Sequence, residues 1–115
     1  MTYRRGDIVL VYFPFADLHR VKKRPALVVQ ADNLQTEFTH IILAMITSQT
    51  TRAGIACRVL VTSQDANFAQ TGLRGDSVIV ADHLATVEPA LIDQKLGVMQ
   101  DMPAVESALR ATFAL

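Results

Sequence analysis

Three side chains at the ends of apolar segments have the chemistry to hold a phosphate. Arg24 stands directly before Pro25 at the start of an apolar run, and Thr47 and Ser48 follow another such run. A guanidinium presents five N–H donors in a planar fork, and hydroxyls add further donors. Metal-free cleavage of an RNA phosphodiester needs fixed donors of this kind to stabilise the phosphorane charge. The residues suit that reaction, while an ion pair for Arg24 and a turn for Thr47 and Ser48 stay open as alternatives.

The densest basic segment of the chain ends at Arg24. It covers residues 19–24 and includes Arg20, Lys22 and Lys23, which could bind phosphates. The net charge of zero argues against binding nucleic acid through total charge. However, residues 1–58 carry eight Lys/Arg and four Asp/Glu, whereas residues 59–115 carry three and seven. This asymmetry permits a basic surface, and the alternative is an ordinary solvated loop.

No residue pattern indicates a metal ion or a nucleotide cofactor. The three histidines, His19, His40 and His83, lack metal-ligand spacing, and the single Cys57 has no cysteine partner. The five glycines form no phosphate-binding loop. We therefore expect neither a metal nor a cofactor. A lone cysteine excludes an internal disulfide and fits a reducing compartment.

The apolar runs are short, rich in Val and Ile and bounded by turn residues, which is typical of strands. We predict seven of them, at about residues 7–13, 24–30, 39–46, 55–61, 76–82, 84–88 and 95–98. Residues 31–38 are too few for the crossover that parallel strands require, so the pairing should be antiparallel. We expect a single β-rich barrel domain spanning residues 1–115.

A terminal helix is predicted to begin after Asp101. That residue is a possible N-cap, and Pro103 is tolerated in a first helical turn. The apolar face of this helix, which should pack on the barrel, would consist of Val105, Ala108, Leu109 and Phe113. The expected fold class is mainly β with a C-terminal helix.

Three predicted strands are apolar on both faces, namely residues 8–13, 26–29 and 41–46. Antiparallel strands with one solvated face alternate between apolar and polar residues. A second copy of the chain is the simplest cover for the extra apolar face, which predicts a homodimer. The alternative is that the terminal helix and the loops cover these residues within one chain.

No apolar run approaches the length needed to span a bilayer. The run from Ile8 to Phe15 is not followed by a small-residue cleavage site, so we do not expect a signal peptide. These features predict a soluble cytoplasmic protein.

Several segments together resemble one known family in order and spacing. They read Arg5-Gly-Asp-Ile-Val, Lys23-Arg-Pro-Ala-Leu-Val-Val, Ala44-Met-Ile-Thr-Ser, Asp76-Ser-Val-Ile-Val-Ala-Asp82 and Ala85-Thr-Val-Glu88. The ordered set is similar to the MazF/PemK toxins of type II toxin-antitoxin systems. The resemblance implies an SH3-like antiparallel barrel of the CcdB/MazF type that forms a homodimer. It also implies sequence-specific, metal-independent cleavage of single-stranded RNA, leaving 2′,3′-cyclic phosphate and 5′-hydroxyl ends, and inhibition by a cognate antitoxin.

The resemblance assigns roles to individual residues. Arg24 and Thr47 match the central catalytic residues, and Ser48 matches a frequent neighbour of the threonine. The segment 16–23 corresponds to the loop that borders the RNA groove, and within it His19 lies near an acid/base histidine of some relatives.

Further substrate contacts are implied for residues around these positions. Gln49 directly follows the catalytic pair on the chain and is expected to bind substrate, whereas Asp82, kept as in many relatives, is a further candidate catalytic residue. His83 replaces their usual glutamine and Ala85 their usual basic residue. Since this stretch contributes base contacts in the family, the sequence that is cut cannot be transferred from relatives.

Two other functions compete with the nuclease. A CcdB-like inhibitor of DNA gyrase would share the barrel but act through its C-terminal helix, so that Arg24 and Thr47 would be dispensable. A catalytically decayed member would bind RNA without cutting it, although few aromatic side chains are available for stacking on bases.

Overall fold

The structure is a computed structural model that describes residues 3–14 and 21–115. Within these ranges, six antiparallel strands form one curled sheet in the order β4-β5-β3-β2-β1-β6. The strands are β1 (Asp7–Pro14), β2 (Val21–Val28), β3 (Ile41–Thr47), β4 (Arg58–Val61), β5 (Ser77–Val87) and β6 (Ile92–Val98). The helices are α1 (Phe68–Thr71) and α2 (Met102–Phe113), with 3₁₀ turns at Thr50–Arg52 and Pro89–Leu91. The predicted fold class, mainly β with a C-terminal helix, is confirmed.

The strands predicted at 76–82 and 84–88 are one continuous strand, β5, with a bulge in the middle. Ala44 of β3 pairs with Leu84, but the next residue, Met45, pairs with Val80. The three residues between them, 81–83, therefore have no counterpart in β3. The sequence prediction ended one strand at residue 82 and began another at 84, whereas a bulge accommodates this stretch without ending the strand.

Both faces of the central strands are buried within one chain. One apolar cluster contains Val9, Val28 and Leu43, and the other contains Leu27 and Ile46 together with residues of α2. The curled sheet and its helix thus cover the second apolar face themselves, as in the intramolecular alternative. No second copy is needed to bury these residues, so the argument from an uncovered face was wrong, and the homodimer stays a prediction that rests on the family resemblance.

The terminal helix begins as predicted. The Asp101 carboxylate accepts a hydrogen bond from the backbone N–H of Ala104 at 3.3 Å, and Val105 and Ala108 are buried. Phe113 is 56% exposed, so its predicted place on the packed face was wrong. The helix ends there, beyond the part of its length that lies on the sheet. No helix in the described ranges is long and apolar enough to cross a membrane.

Two glycines allow α1 to approach the edge strand β6 at backbone contact. A Cβ added at Gly72 would lie 2.1 Å from the carbonyl oxygen of Leu96, and one at Gly97 would lie 2.1 Å from that of Gln70. Gly72 also adopts φ of +71°, which favours glycine. The helix α1 follows β4, which is one edge of the sheet, and contacts β6, which is the other edge. This contact therefore keeps the two edges close together and stabilises the curled shape of the sheet.

We expect Gly97→Ala to destabilise the protein by about 2–3 kcal/mol, because its methyl group would collide with the backbone of α1. Thermal unfolding monitored by circular dichroism would show a melting temperature lower by roughly 10 °C. Gly75→Ala is the matched control, since no atom lies within 4 Å of the place where its Cβ would stand. Equal melting temperatures for the two variants would contradict a close contact between α1 and β6.

Candidate active site

Arg24 and Thr47 lie across from each other where β2 and β3 diverge. The ladder between these strands pairs Ala26 with Met45 and Val28 with Leu43. The same register, continued by two residues, places Arg24 opposite Thr47. Because Pro25 has no N–H to donate, the ladder stops beside it and the two strand ends open into a cleft. Arg24 is the fourth residue of β2 rather than its first, which anchors it more firmly than the sequence suggested.

The smaller of two neighbouring clefts brings together four of the predicted site residues, Arg24, Thr47, Gln49 and His83. It has a volume of about 170 Å³, and its apolar lining comes from Met45, Ile46 and Val80. The polar residues that line it are Arg24, Thr47, Gln49, Arg52 and His83. Two guanidinium groups, two neutral hydrogen-bonding side chains and an imidazole in so small a space favour an anionic ligand such as a phosphate.

The hydroxyl of Thr47 is oriented by the backbone that follows it. The N–H of Gln49 donates to Thr47 Oγ1 at 3.2 Å. A hydroxyl oxygen can accept while its own hydrogen is donated elsewhere. This bond therefore leaves the Thr47 proton available for a group bound in the smaller cleft.

Ser48 faces a different, larger cleft. Neighbouring residues of an extended chain point to opposite sides, so Ser48 continues the row of Ala44 and Ile46, whereas Thr47 continues that of Met45. The larger cleft has a volume of about 510 Å³. Its polar lining consists of Lys23, Arg24, Ser48, Arg74, Asp76, Ser77 and Gln94. Thr47 and Ser48 do not share a cleft, contrary to the expectation that both would contact one phosphate, and Arg24 lies between the two.

Of the two lysines directly before Arg24, only Lys23 lines a cleft, and it is also paired with other residues. Lys23 lines the larger cleft, but its ammonium lies 5.2 Å from the Tyr12 ring centre and 3.4 Å from an oxygen of Asp93. A hydrogen bond with Tyr12 and the charge of Asp93 raise the pKa of Lys23. Lys22 is exposed on β2 and lines neither cleft.

The predictions for His19 and Arg20 fall outside the described residues. Their proposed roles near the RNA groove therefore stay predictions.

The bulge in β5 places the predicted site residues Asp82 and His83 in different surroundings. His83 lines the smaller cleft, while Asp82 forms an ion pair with Arg58, with Nε to Oδ1 at 2.7 Å and Nη2 to Oδ2 at 2.9 Å. Hydrogen bonding to Arg58 lowers the pKa of Asp82 from 3.8 to about 2. A carboxylate held in this way is a weak base near neutral pH, so its arrangement suits positioning rather than proton transfer.

Several cleft residues were not predicted from the sequence. Arg52, Arg74 and Gln94 are single polar residues in separate segments, and only the fold brings them to the clefts. The one sequence signal was the closeness of Arg52 to Thr47 in the same polar stretch. Among the residues that the structure describes, no group of three or more His, Cys, Asp or Glu side chains could hold a metal ion.

Residues 4–113 match the family model described as PemK-like, MazF-like toxin of type II toxin-antitoxin systems. The chain belongs to this family. Members of the MazF/PemK family are known as endoribonucleases. No curated protein sequence is significantly similar to the chain.

Solved structures of two MazF proteins and of a mycobacterial endoribonuclease share its fold. Mycobacterium tuberculosis toxin MazF-mt6 is 25% identical with a TM-score of 0.72, and the match covers 95% of this chain and 97% of that one. A mycobacterial endoribonuclease in complex with its cognate antitoxin is 20% identical with a TM-score of 0.75, covering 99% and 97%. MazF from Deinococcus radiodurans is 20% identical with a TM-score of 0.71, covering 100% and 99%.

The ion pair between Asp82 and Arg58 predicts a measurable titration. Because the folded-state pKa of Asp82, about 2, is below the ordinary 3.8, the stability from this pair is fully present above about pH 4 and is lost as the pH falls through 2. The side-chain carboxyl ¹³C resonance of Asp82 should titrate near pH 2. In Arg58→Met we expect its midpoint to return toward 3.8; an unchanged midpoint would exclude Arg58 as the cause.

Proposed function

We propose that this protein is the toxin of a type II toxin-antitoxin system and cleaves single-stranded RNA, chiefly mRNA, at specific sequences without a metal ion. The products would be a 2′,3′-cyclic phosphate and a 5′-hydroxyl. The observation that carries the proposal is that Arg24 and Thr47 line one small cleft in a chain that belongs to the MazF/PemK family.

Arg24 is assigned to the phosphate that reacts. As the 2′-oxygen attacks, negative charge develops on the non-bridging oxygens of the phosphorane, and a guanidinium fixed on a strand stabilises it. Its position between the two clefts lets the nucleotides on either side of that phosphate occupy different clefts.

Thr47 and His83 supply the remaining contacts in the smaller cleft. The Thr47 hydroxyl, with its oxygen already accepting from Gln49, donates its proton to a phosphate oxygen. His83 and the Gln49 side chain are assigned to substrate binding there. Ser48 and Lys23 are assigned to the part of the RNA in the larger cleft.

We propose two protein partners, a cognate antitoxin and a second copy of the chain, and a cellular location from the family to which the chain belongs. The mycobacterial endoribonuclease of this fold has been solved in complex with its cognate antitoxin, and a segment of a similar antitoxin that covers the clefts would block RNA. We also propose a homodimer, based on the family, and a cytoplasmic location, where mRNA is accessible.

Replacement of Arg24 by alanine should reduce the cleavage rate by about a hundred- to a thousand-fold, because a preorganised donor to the phosphorane is lost. The assay incubates the protein as purified with a long mixed-sequence RNA and EDTA, and maps new 5′ ends. Arg110→Ala, which alters an exposed arginine near the end of α2, is the control and should cut like the unaltered protein.

Discrete cuts with 5′-hydroxyl ends, lost only in Arg24→Ala, would support the nuclease. Intact RNA with the folded unaltered protein would instead favour gyrase inhibition or a decayed enzyme. Equal cleavage by both variants would remove Arg24 from the mechanism.

The opposite orientations of Thr47 and Ser48 predict unequal effects for two similar substitutions. Thr47→Val removes a donor to the reacting phosphate and should slow cleavage about a hundred-fold. Ser48→Ala removes a contact to a neighbouring nucleotide and should cost less than about ten-fold, mainly in KM. Single-turnover rates and KM on one RNA oligonucleotide separate the two cases. Equal losses would mean that both hydroxyls contact the same phosphate.

A further inference from the structure

Arg58 joins two segments of the chain that border the smaller cleft. Its Nε and Nη2 donate to the two carboxylate oxygens of Asp82 at 2.7 and 2.9 Å. Its Nη1 donates to the backbone carbonyl of Arg52 at 2.8 Å. One guanidinium fork therefore connects the β5 bulge to the 3₁₀ turn that follows Thr47.

Neither of these segments pairs with β3. The bulge residues 81–83 have no counterpart in β3, and among them Ala81 donates to the carbonyl of Cys57 at 3.1 Å. The turn Thr50–Arg52 has only three residues, closed by the N–H of Arg52 on the carbonyl of Gln49 at 3.0 Å. So short a turn does not maintain its position alone. Through Arg58, a charged hydrogen-bond network connects the two segments directly.

The cleft residue carried by this turn is Arg52. Arg58 lines neither cleft, whereas Arg52 lines the smaller one with Arg24 and His83. Arginine side chains suit the binding of phosphate oxygens, so a cleft of about 170 Å³ lined by both Arg24 and Arg52 favours an anionic ligand. Both carboxylate oxygens of Asp82 accept hydrogen bonds from Arg58, and Asp82 does not line this cleft. Its negative charge therefore pairs with Arg58 rather than with Arg52.

We propose that the ion pair between Arg58 and Asp82 positions the Thr50–Arg52 turn, so that Arg52 binds a phosphate of the RNA beside the one held by Arg24. Arg58 and Asp82 are positioning residues, and Arg52 is the residue that touches the substrate. The proposal rests on the proposed function, since it assigns the RNA backbone as the ligand of this cleft.

The test is a double-mutant cycle with Arg52→Ala and Arg58→Met. Arg52→Ala keeps the carbonyl that Arg58 binds, and Arg58→Met keeps the apolar stem of the side chain. We expect each single variant to lose about ten-fold in kcat/KM, mostly through KM, which corresponds to one charged hydrogen bond. If Arg58 acts through Arg52, the double variant should also lose about ten-fold. A loss of about a hundred-fold in the double variant, or wild-type activity in Arg58→Met, would overturn the proposal.

Amide hydrogen exchange in the free protein provides a readout that does not depend on cleavage. The N–H groups of Arg52 and Ala53 close the turn, and we expect faster exchange at both in Arg58→Met and in the isosteric Asp82→Asn. Glu106→Gln, which breaks the Arg5 ion pair of 3.1 Å, is the control and should change neither exchange there nor kcat/KM. Unchanged exchange at Arg52 and Ala53 in both test variants would exclude positioning of the turn.

Arg58→Lys separates positioning from ordinary stabilisation. Lysine keeps the positive charge beside Asp82 but lacks the fork that reaches the Arg52 carbonyl at the same time. We expect it to restore the melting temperature but not the protection of the turn or kcat/KM. Recovery of all three together would mean that the ion pair only stabilises the fold.

Binding of a non-cleavable 2′-deoxy analogue of the mixed-sequence RNA used in the cleavage assay distinguishes failure of this proposal from failure of the proposed function. If the analogue binds without RNA cleavage, reduced affinity in Arg58→Met and Arg52→Ala would still support the positioning role. Unchanged affinity in both would overturn it even if the protein is a nuclease.

Discussion

The register between β2 and β3 is the constraint on which the site depends. It pairs Ala26 with Met45, and the same register continued by two residues directs Arg24 and Thr47 to the same cleft. A shift by one residue would turn every side chain of one strand to the other face, and both apolar clusters would be disrupted. The same pairing that buries the core therefore fixes the donors of the cleft, so that folding and preorganisation of the site are one event.

Hydrogen bonds from neighbouring protein groups hold the polar groups at the cleft in place. The Thr47 oxygen accepts from the Gln49 backbone, and the Arg52 carbonyl accepts from Arg58. Such contacts limit the rotation of groups that would otherwise be mobile at the exposed ends of strands, which lowers the reorganisation needed when charge develops. The candidate site thus combines solvent access with fixed geometry.

Most of the fold could be read from local patterns, and part of the site could not. Short Val- and Ile-rich runs located the strands, and Asp101 marked the start of α2. The short helix α1 carries too few residues for a periodic signal, and its position depends on Gly72 and Gly97 meeting a distant strand. Residue type and position made Arg24 and Thr47 candidates, and the family resemblance gave them catalytic roles, whereas Arg52 reaches the cleft only through tertiary contacts that no local pattern records.

The bulge in β5 allows the strand to place a side chain in the cleft at a position that does not pair with β3. Residues 81–83 lie outside the ladder with β3, while the pairs on both sides, Ala44 with Leu84 and Met45 with Val80, hold the sheet. Exchanges at His83 therefore change what the cleft presents to a nucleotide without altering a single strand pairing. The lining of the cleft at this position is thus separate from the pairings that join β5 to β3.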